Sequence, residues 1–211
     1  MVPVKLVAQG KTRLAGTLEP AARGALVTAM ALDTLASVAA TQAVGRVVLV
    51  TDDPGLRRAV VDLPGAWVHV MEEPDGGGLN PALAAGIREA RQADPGHGVA
   101  VVLADLPGLR PHDLEEVLRA AAAHPRSVVN DAEGTGTTVL AALPGVDLEP
   151  RFGPGSAAAH RAAGHVALVL PEGSPARQDV DLPADLASVG RIGVGPRTRA
   201  VLDRWAGRPT G

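Results

Sequence analysis

Short apolar runs alternate along the chain with longer stretches in which apolar residues recur at helical spacing. The short runs are rich in β-branched residues and predict strands at residues 2–8, 46–51, 66–71, 98–104, 127–130, 137–143 and 165–170. The longer stretches are rich in alanine and leucine and predict helices at residues 19–40, 54–62, 81–92, 111–123, 156–163, 183–189 and 196–205. This alternation predicts a single α/β domain over residues 1–211 with a mostly parallel sheet. The run at 98–104 is apolar throughout, which is typical of a central parallel strand covered on both faces.

Composition and charge exclude several classes of protein. Apolar residues make up 46% of the 211, which excludes a disordered chain. The absence of cysteine excludes a disulfide scaffold and a cysteine-ligated zinc site, and it fits the reducing cytoplasm. No apolar run of 18 residues is free of charge, and the first residues lack the order of a signal peptide. The net charge of −3 argues against nucleic acid or a membrane surface as a partner.

Ligands of such sheets bind beyond the carboxyl ends of the strands, so the loops that follow strands are the candidates for a site. The loop at 9–14 contains the only lysine besides Lys5, namely Lys11, together with Arg13. Two cations beside main-chain donors suit a polyphosphate. Lys5 stands where a P-loop requires glycine, so that motif is disfavoured, and a solvated basic loop is the alternative.

The loop at 72–81 contains three consecutive glycines, Gly76 to Gly78. Glycine allows the main chain to approach a flat or bulky ligand closely. Asn80 is alternatively the N-cap of the next helix, with Pro81 as its first residue.

Three aspartates form a candidate metal site. Asp105 ends a buried apolar strand, where a carboxylate is costly unless a metal ion or capping geometry compensates it. Asp179 and Asp181 are two residues apart, so in an extended chain they share one face and repel unless a cation lies between them. Hard cations such as Mg²⁺ prefer oxygen ligands, and the three carboxylates could hold one or two ions. Asp181 is alternatively a helix cap.

Two glycine-containing loops offer neutral donors for a small anion. The loop at 131–138 carries three threonines, and an ordinary hairpin turn is the alternative interpretation. The loop at 151–156 leads into a helix with Ser156 at the predicted N-cap. His160 lies one turn later, and a surface or packing role is the more frequent one for such a histidine.

Taken in order, these segments resemble a known family. The motifs VPVK, GKTRLA, GGGLN, ADLPG, GTGTT, RFGPGS and DVDLPADL follow one another as in the 2-phospho-L-lactate / phosphoenolpyruvate guanylyltransferases of coenzyme F-420 biosynthesis. The resemblance covers residues 2 to about 195, and it implies the nucleotide-diphosphosugar-transferase (GT-A) type of Rossmann-like sheet. Gly10 departs from the family, which usually has alanine there.

The resemblance also implies roles for individual residues. Lys11 and Arg13 would contact the nucleotide phosphates and, with Asp105, act in catalysis. The nucleotide would also be bound by Gly77, Gly78, Leu79 and Asn80. The acceptor would be bound by Thr137, Gly153 and Ser156. Two Mg²⁺ ions would be bound by Asp105, Asp179 and Asp181.

The implied reaction is GMP transfer from GTP to phosphoenolpyruvate, or to 2-phospho-L-lactate, with release of pyrophosphate. The arginine- and alanine-rich composition favours phosphoenolpyruvate, the acceptor of the high-GC bacterial members. A transient contact with the next enzyme of the pathway is a further expectation. The alternatives are a nucleotidyltransferase of the same fold that acts on a sugar phosphate or a molybdenum cofactor, a P-loop kinase, and a non-catalytic nucleotide-binding protein.

Overall fold

The structure is a computed structural model that describes residues 2–3, 19–61, 63–180 and 193–206. Its strands are β1 (Val2–Pro3), β2 (Arg46–Val50), β3 (Trp67–Met71), β4 (Val99–Val102), β5 (Arg126–Asn130), β6 (Thr137–Ala142) and β7 (Val166–Ala167). Its helices are α1 (Pro20–Ala40), α2 (Pro54–Ala59), α3 (Leu79–Ala93), α4 (Pro111–Ala121), α5 (Ser156–Ala162) and α6 (Pro196–Ala206), and a 3-10 turn covers Pro175–Arg177.

The strands form two hydrogen-bonded groups. β1, β2 and β3 pair in parallel, in that order, and the second group has the order β4-β6-β5-β7. In the second group β5 and β7 are parallel, whereas β6 runs antiparallel to both β4 and β5. The α/β class predicted from the sequence is therefore confirmed. The prediction of parallel pairing for residues 98–104 is wrong for the ladder with β6, because a continuous apolar run reports burial on both faces and not the direction of the neighbouring strand.

The ends of several elements differ from the predicted ones. α3 begins at Leu79 with Gly78 as its N-cap, so Asn80 lies inside the first turn and is not the cap. α5 has Gly155 as its N-cap, at a φ of 73°, and Ser156 is the first helical residue. The predicted strand at 165–170 is reduced to β7. The predicted helix at 183–189 and most of the predicted strand at 2–8 lie outside the described residues.

α1 is the only helix in the described part of the chain that is long and apolar enough to cross a membrane. Half of its apolar window is nevertheless buried inside the protein, with Leu26 and Leu35 fully enclosed. The helix packs against the main core and against α6. These contacts identify α1 as the core helix of a folded domain.

Asp33 of α1 fixes the start of α6. Its carboxylate is buried and accepts hydrogen bonds from the main-chain N–H groups of Arg197, at 3.2 Å, and Thr198, at 2.7 Å. These are orphan donors of the first helical turn, so a side chain of one helix caps the other. In addition, the N–H of Gly195 donates to the Pro107 carbonyl at 2.8 Å, which attaches the entry to α6 to the loop after β4.

Candidate active site

The loop after β4 is attached to α1. Thr34 and Ser37 of that helix donate from their hydroxyls to the carbonyls of Ala104, at 3.2 Å, and Leu109, at 2.6 Å. Asp105 is half-buried between these two attachments. The helix thus holds the carboxylate at the carboxyl edge of β4.

The segment that contains Asp179 crosses this same edge. The N–H of Val180 donates to the main-chain carbonyl of Asp105 at 3.1 Å, so the two aspartates lie on adjoining backbones. Just upstream, the Thr138 hydroxyl donates to the Ala176 carbonyl at 2.6 Å. The structure therefore brings Asp105 and Asp179 to one edge of the sheet, although they are far apart in the sequence.

Two carboxylates on adjoining segments are the donor type that suits Mg²⁺, which usually binds one or two carboxylates and keeps several waters. The third predicted ligand, Asp181, lies outside the described residues. Within the described ranges, no three acidic, histidine or cysteine side chains are grouped as a metal site. Asp105 and Asp179 have the donor chemistry that a hard divalent cation prefers, and a metal site between them stays a prediction.

The loop between β5 and β6 is a hairpin connection, as the alternative interpretation of residues 131–138 proposed. The carboxylate of Asp131 accepts from the N–H groups of Thr135, at 2.9 Å, and Gly136, at 2.7 Å. From outside, the Arg177 guanidinium donates to the carbonyls of residues 130–132 over 2.9–3.3 Å. These bonds set the shape of the loop that leads into Thr137.

His160 of α5 is fully buried beside the start of β6. Its Nδ1 lies 3.0 Å from Oγ1 of Thr137, and its Nε2 accepts a hydrogen bond of 2.9 Å from the main-chain N–H of Arg151. The pKa of His160 is lowered to about 4, mainly by burial and to a smaller extent by its neighbours His165 and Arg151. The side chain is therefore a neutral link between two loops and not an exposed group.

Two rings pack against His160. Phe152 approaches it edge-on with ring centroids 5.1 Å apart, and His165 does so at 5.5 Å. Nδ1 of His165 bonds to the His160 carbonyl at 3.0 Å, while its Nε2 is buried without a hydrogen-bond partner among the described residues. Burial is also the main cause that lowers the pKa of His165. The ring cluster is thus buried and uncharged at neutral pH.

Asn80 joins the second predicted loop to the fifth. Its Nδ2 donates to the Phe152 carbonyl at 2.9 Å, and its Oδ1 accepts from the Phe152 N–H at 2.8 Å. A side-chain amide has two hydrogens and two lone pairs, so one of each remains for a ligand. The predicted contact of Asn80 with a nucleotide therefore has to share the amide with Phe152.

Gly153 follows Phe152 with a φ of 132°. A Cβ there would meet nothing within 4 Å, so the residue is required by its backbone conformation and not by crowding within the protein. At Gly77 the situation is the reverse, since a Cβ would lie 2.7 Å from the Pro74 carbonyl oxygen. That glycine closes a tight turn before α3.

The predicted acceptor residues lie near one another. Thr137 and Ser156 are both buried, and the N–H of Ala157 donates to the Thr135 carbonyl at 3.1 Å, which holds the start of α5 against the hairpin loop. The Ser156 hydroxyl makes no hydrogen bond within the described part of the chain. Lys11 and Arg13 lie outside the described residues.

Sequence reasoning missed two supporting side chains. Arg177 is one of many arginines, so nothing in its pattern distinguishes it. Asp131 precedes a Gly-Thr-Gly stretch, a signal for a side chain that caps its own turn. For His160 the packing alternative is confirmed by its burial. Its two hydrogen bonds could not be predicted, because the partners lie on other elements.

A separate cavity of about 600 Å³ opens at the opposite edge of the sheet. Its wall includes the first residues of β2 and β4, Arg46 and Val99, together with the ends of α3 and α4. None of the predicted site residues lines it, and its lining is mostly apolar. The candidate active site is therefore the open edge that carries Asp105, Asp179 and Thr137.

Comparisons with known proteins identify relatives along almost the whole chain. The family described as the MobA-like NTP transferase domain matches residues 23–170. A protein of Sanguibacter keddieii named phosphoenolpyruvate guanylyltransferase is 48% identical over 98% of this chain and 84% of its own length. A protein of Streptomyces scabiei with the same name is 49% identical over 97% of this chain and 95% of its own.

Solved structures show the same fold at low identity. One is a crystal structure of a protein from Desulfovibrio desulfuricans G20 that is described as a nucleotide-diphospho-sugar transferase. It superimposes with a TM-score of 0.73 at 18% identity, and the match covers 96% of this chain and 92% of that one. A CMP:2-keto-3-deoxy-manno-octonic acid synthetase in complex with CTP gives a TM-score of 0.50 at 17% identity, with 97% of each chain covered. The fold is thus that of the nucleotide-diphosphosugar transferases. The chain belongs to the phosphoenolpyruvate guanylyltransferase family, and its body is a MobA-like NTP transferase domain.

Proposed function

We propose that this nucleotidyltransferase moves GMP from GTP to phosphoenolpyruvate, which yields enolpyruvyl-diphospho-guanosine and pyrophosphate. One observation carries the proposal: relatives with that acceptor in their name are 48–49% identical to this chain over 97–98% of its length. The geometry agrees, because an acidic pair and a group of neutral donors lie at the same edge of the sheet.

The chemistry needs positioning more than proton transfer. A phosphate oxygen of the acceptor attacks the α-phosphorus of GTP, and the bond between that phosphorus and the bridging oxygen of the β-phosphate breaks as pyrophosphate leaves. The acceptor phosphate is already largely ionised at neutral pH, since its second pKa is about 6. No general base is therefore required, which agrees with a histidine cluster that is buried and uncharged.

Two Mg²⁺ ions would be held by the carboxylates of Asp105, Asp179 and Asp181. Bound there, the metal would supply charge neutralisation between the two polyanionic substrates. Asp105 is suited to the task because α1 holds its loop at both ends. Lys11 and Arg13 are proposed from their motif to bind the nucleotide phosphates.

The acceptor carboxylate requires donors that do not compete for the metal. Thr137, Gly153 and Ser156 can supply two hydroxyls and one main-chain N–H. Their proximity supports this assignment, because Thr137 and the Arg151–Gly153 segment are linked by His160. A pocket of neutral donors of this size suits a small carboxylate better than a sugar ring.

The nucleotide is proposed to be GTP, bound by residues 77–80. A site that bonds to the edge of one base rejects another whose donors and acceptors are reversed, because buried polar groups are then left unpaired. The proposal places the reaction in the cytoplasm as a step of coenzyme F-420 biosynthesis. The unusual diphosphate product would pass to the next enzyme of that pathway.

The test is an acceptor panel with the purified full chain. GTP and Mg²⁺ are incubated with phosphoenolpyruvate, 2-phospho-L-lactate or 3-phosphoglycerate, with ATP replacing GTP in parallel reactions. Pyrophosphate release gives the rate, and mass spectrometry identifies the product. The expected result is a guanosine product with phosphoenolpyruvate at the highest rate and little product from ATP. Faster turnover of either other acceptor would overturn the acceptor assignment, and equal turnover of ATP would overturn the nucleotide assignment.

A further inference from the structure

We infer that His160 is a positioning residue that makes the Thr137 hydroxyl an obligate hydrogen-bond donor to the acceptor carboxylate. The inference rests on the proposed function, which assigns Thr137 to that carboxylate. It adds a role for a buried side chain that touches neither substrate.

The first bond fixes the tautomer of the imidazole. The main-chain N–H of Arg151 can only donate, and it points at Nε2 of His160 over 2.9 Å. Nε2 must therefore be the unprotonated nitrogen. A neutral imidazole carries its one proton on the other nitrogen, so His160 is the Nδ1–H tautomer.

The second bond then has only one possible direction. Nδ1–H of His160 donates to Oγ1 of Thr137 over 3.0 Å. The Thr137 hydroxyl is an acceptor in this bond, so its own hydrogen must point elsewhere. No other hydrogen bond of this hydroxyl occurs within the part of the chain that the structure describes. A carboxylate, which only accepts, is the ligand that such a donor selects.

The surroundings keep this arrangement in one state. The imidazole faces the rings of Phe152 and His165, the Thr137 hydroxyl and the main chains of Arg151 and Ser156. The guanidinium of Arg151 forms an ion pair with Glu149 at 2.8 Å. Burial is the main cause that lowers the pKa of His160, so the ring is neutral at pH 7. Protonation at Nε2 would set two donors against each other at Arg151.

The same imidazole also anchors the other side of the pocket. Its bond to Arg151 holds the residue two positions before Gly153, whose N–H is the second proposed donor. Asn80 holds Phe152 between them through two bonds. His160 thus sets the distance between the Thr137 hydroxyl and the Gly153 amide.

Two isosteric variants separate the two bonds. His160→Asn keeps an N–H donor near the Nδ1 position and loses the acceptor for Arg151. His160→Gln keeps an acceptor near the Nε2 position and loses the donor to Thr137. Thr137→Val removes the hydroxyl at nearly constant volume, and Thr41→Val is its matched control, since Thr41 is a buried threonine that bonds to the Ser37 carbonyl at the far end of α1.

For every variant we would measure KM for phosphoenolpyruvate and KM for GTP and compare the changes in the two constants. Urea unfolding would measure the stability of each variant. Thr137→Val should raise KM for phosphoenolpyruvate about tenfold or more, because it removes a hydrogen bond to a charged group. His160→Gln should raise the same constant several-fold, more than His160→Asn does, with KM for GTP unchanged in both. In the Thr137→Val background, His160→Gln should add nothing further, because its effect passes through the hydroxyl.

The failures of the two proposals differ. If Thr137→Val leaves KM for phosphoenolpyruvate unchanged, the acceptor pocket itself is misplaced. If Thr137→Val raises it but His160→Gln does not, or if the two effects simply add, the positioning role of His160 is wrong. The tautomer can be read without any variant from the ¹⁵N chemical shifts of the His160 ring in the wild-type protein. A protonated Nε2 at pH 7 would overturn the inference whatever the kinetics show.

Discussion

Lowering the pH should destabilise this protein through His160 in particular. The group has a pKa of about 4 in the folded protein, against a usual value of 6.5. Between these values the unfolded chain binds a proton that the folded protein does not bind. Unfolding is therefore favoured as the pH falls, and the stability contributed by neutral His160 is complete above pH 6.5 and is lost progressively towards pH 4.

The size of the effect follows from the two pKa values. Integrating the difference in bound protons from pH 7 to pH 5 gives a loss of about 2 kcal/mol in the free energy of unfolding from this one residue. His165 has the same sign of shift, so it adds to the loss in the wild-type protein. The share of His160 must therefore be isolated with a variant.

The assay is urea unfolding of the wild type and of His160→Gln at pH 7 and pH 5. The variant should lose about 2 kcal/mol less than the wild type between the two pH values, whatever its stability at pH 7. His97→Gln is the control, because His97 is exposed and paired with Asp94 at 2.7 Å. Equal losses in the wild type and in His160→Gln would refute the reasoning, since they would show that the proton is taken up elsewhere.

Three further substitutions test the candidate site. Asn80→Ala leaves the N–H and the carbonyl of Phe152 without partners and should lower the free energy of unfolding in urea by about 1–3 kcal/mol for each group, while raising KM for phosphoenolpyruvate. Asp179→Asn should reduce kcat at least about a hundredfold, because a proposed metal ligand is lost. Gly153→Ala places a side chain at a φ of 132° and should cost about 1–3 kcal/mol by the same unfolding assay.

Each of these expectations has an outcome that contradicts it. For Asn80→Ala this is a stability equal to that of Gln92→Ala, a change at an exposed position of the same helix. For Asp179→Asn it is full turnover at saturating Mg²⁺. For Gly153→Ala it is wild-type stability, which would mean that the loop adopts an ordinary φ in solution.

The alternation of strands and helices could be predicted because the spacing of apolar residues differs between the two and shows which face of each element is buried. The direction of β6 could not, since residues 98–104 are apolar for burial on both faces and say nothing about the partner strand. The start of α3 was misplaced for a related reason. Pro81 is a good first residue of a helix, but the turn at 76–78 allows the helix to begin two residues earlier.

The candidate site was predictable where it depends on strand ends. Asp105 follows a strand, so its place at the carboxyl edge could be predicted. Thr137 begins β6 and shares this edge with Asp105 because β6 runs antiparallel to β4, which the sequence did not predict. The contacts of Asn80 and His160 depend instead on partners on other elements, between nine and 72 residues away, and on which atoms face each other. A linear pattern contains no information on the tautomer of His160 or on the two hydrogen bonds between Asn80 and Phe152, so these features required the structure.

The two hydrogen bonds between the Asn80 side chain and the main chain of Phe152 have a consequence for attempts to change which acceptor the enzyme uses. Replacing residues 151–156 by those of a relative would exchange the main chain to which Asn80 forms its hydrogen bonds. Asn80 itself lies on α3, 72 positions before Phe152. A chimera with a different residue at position 80 would bury two unsatisfied main-chain groups, each costing about 1–3 kcal/mol. Successful chimeras of this family should therefore exchange position 80 together with the 151–156 loop as one unit.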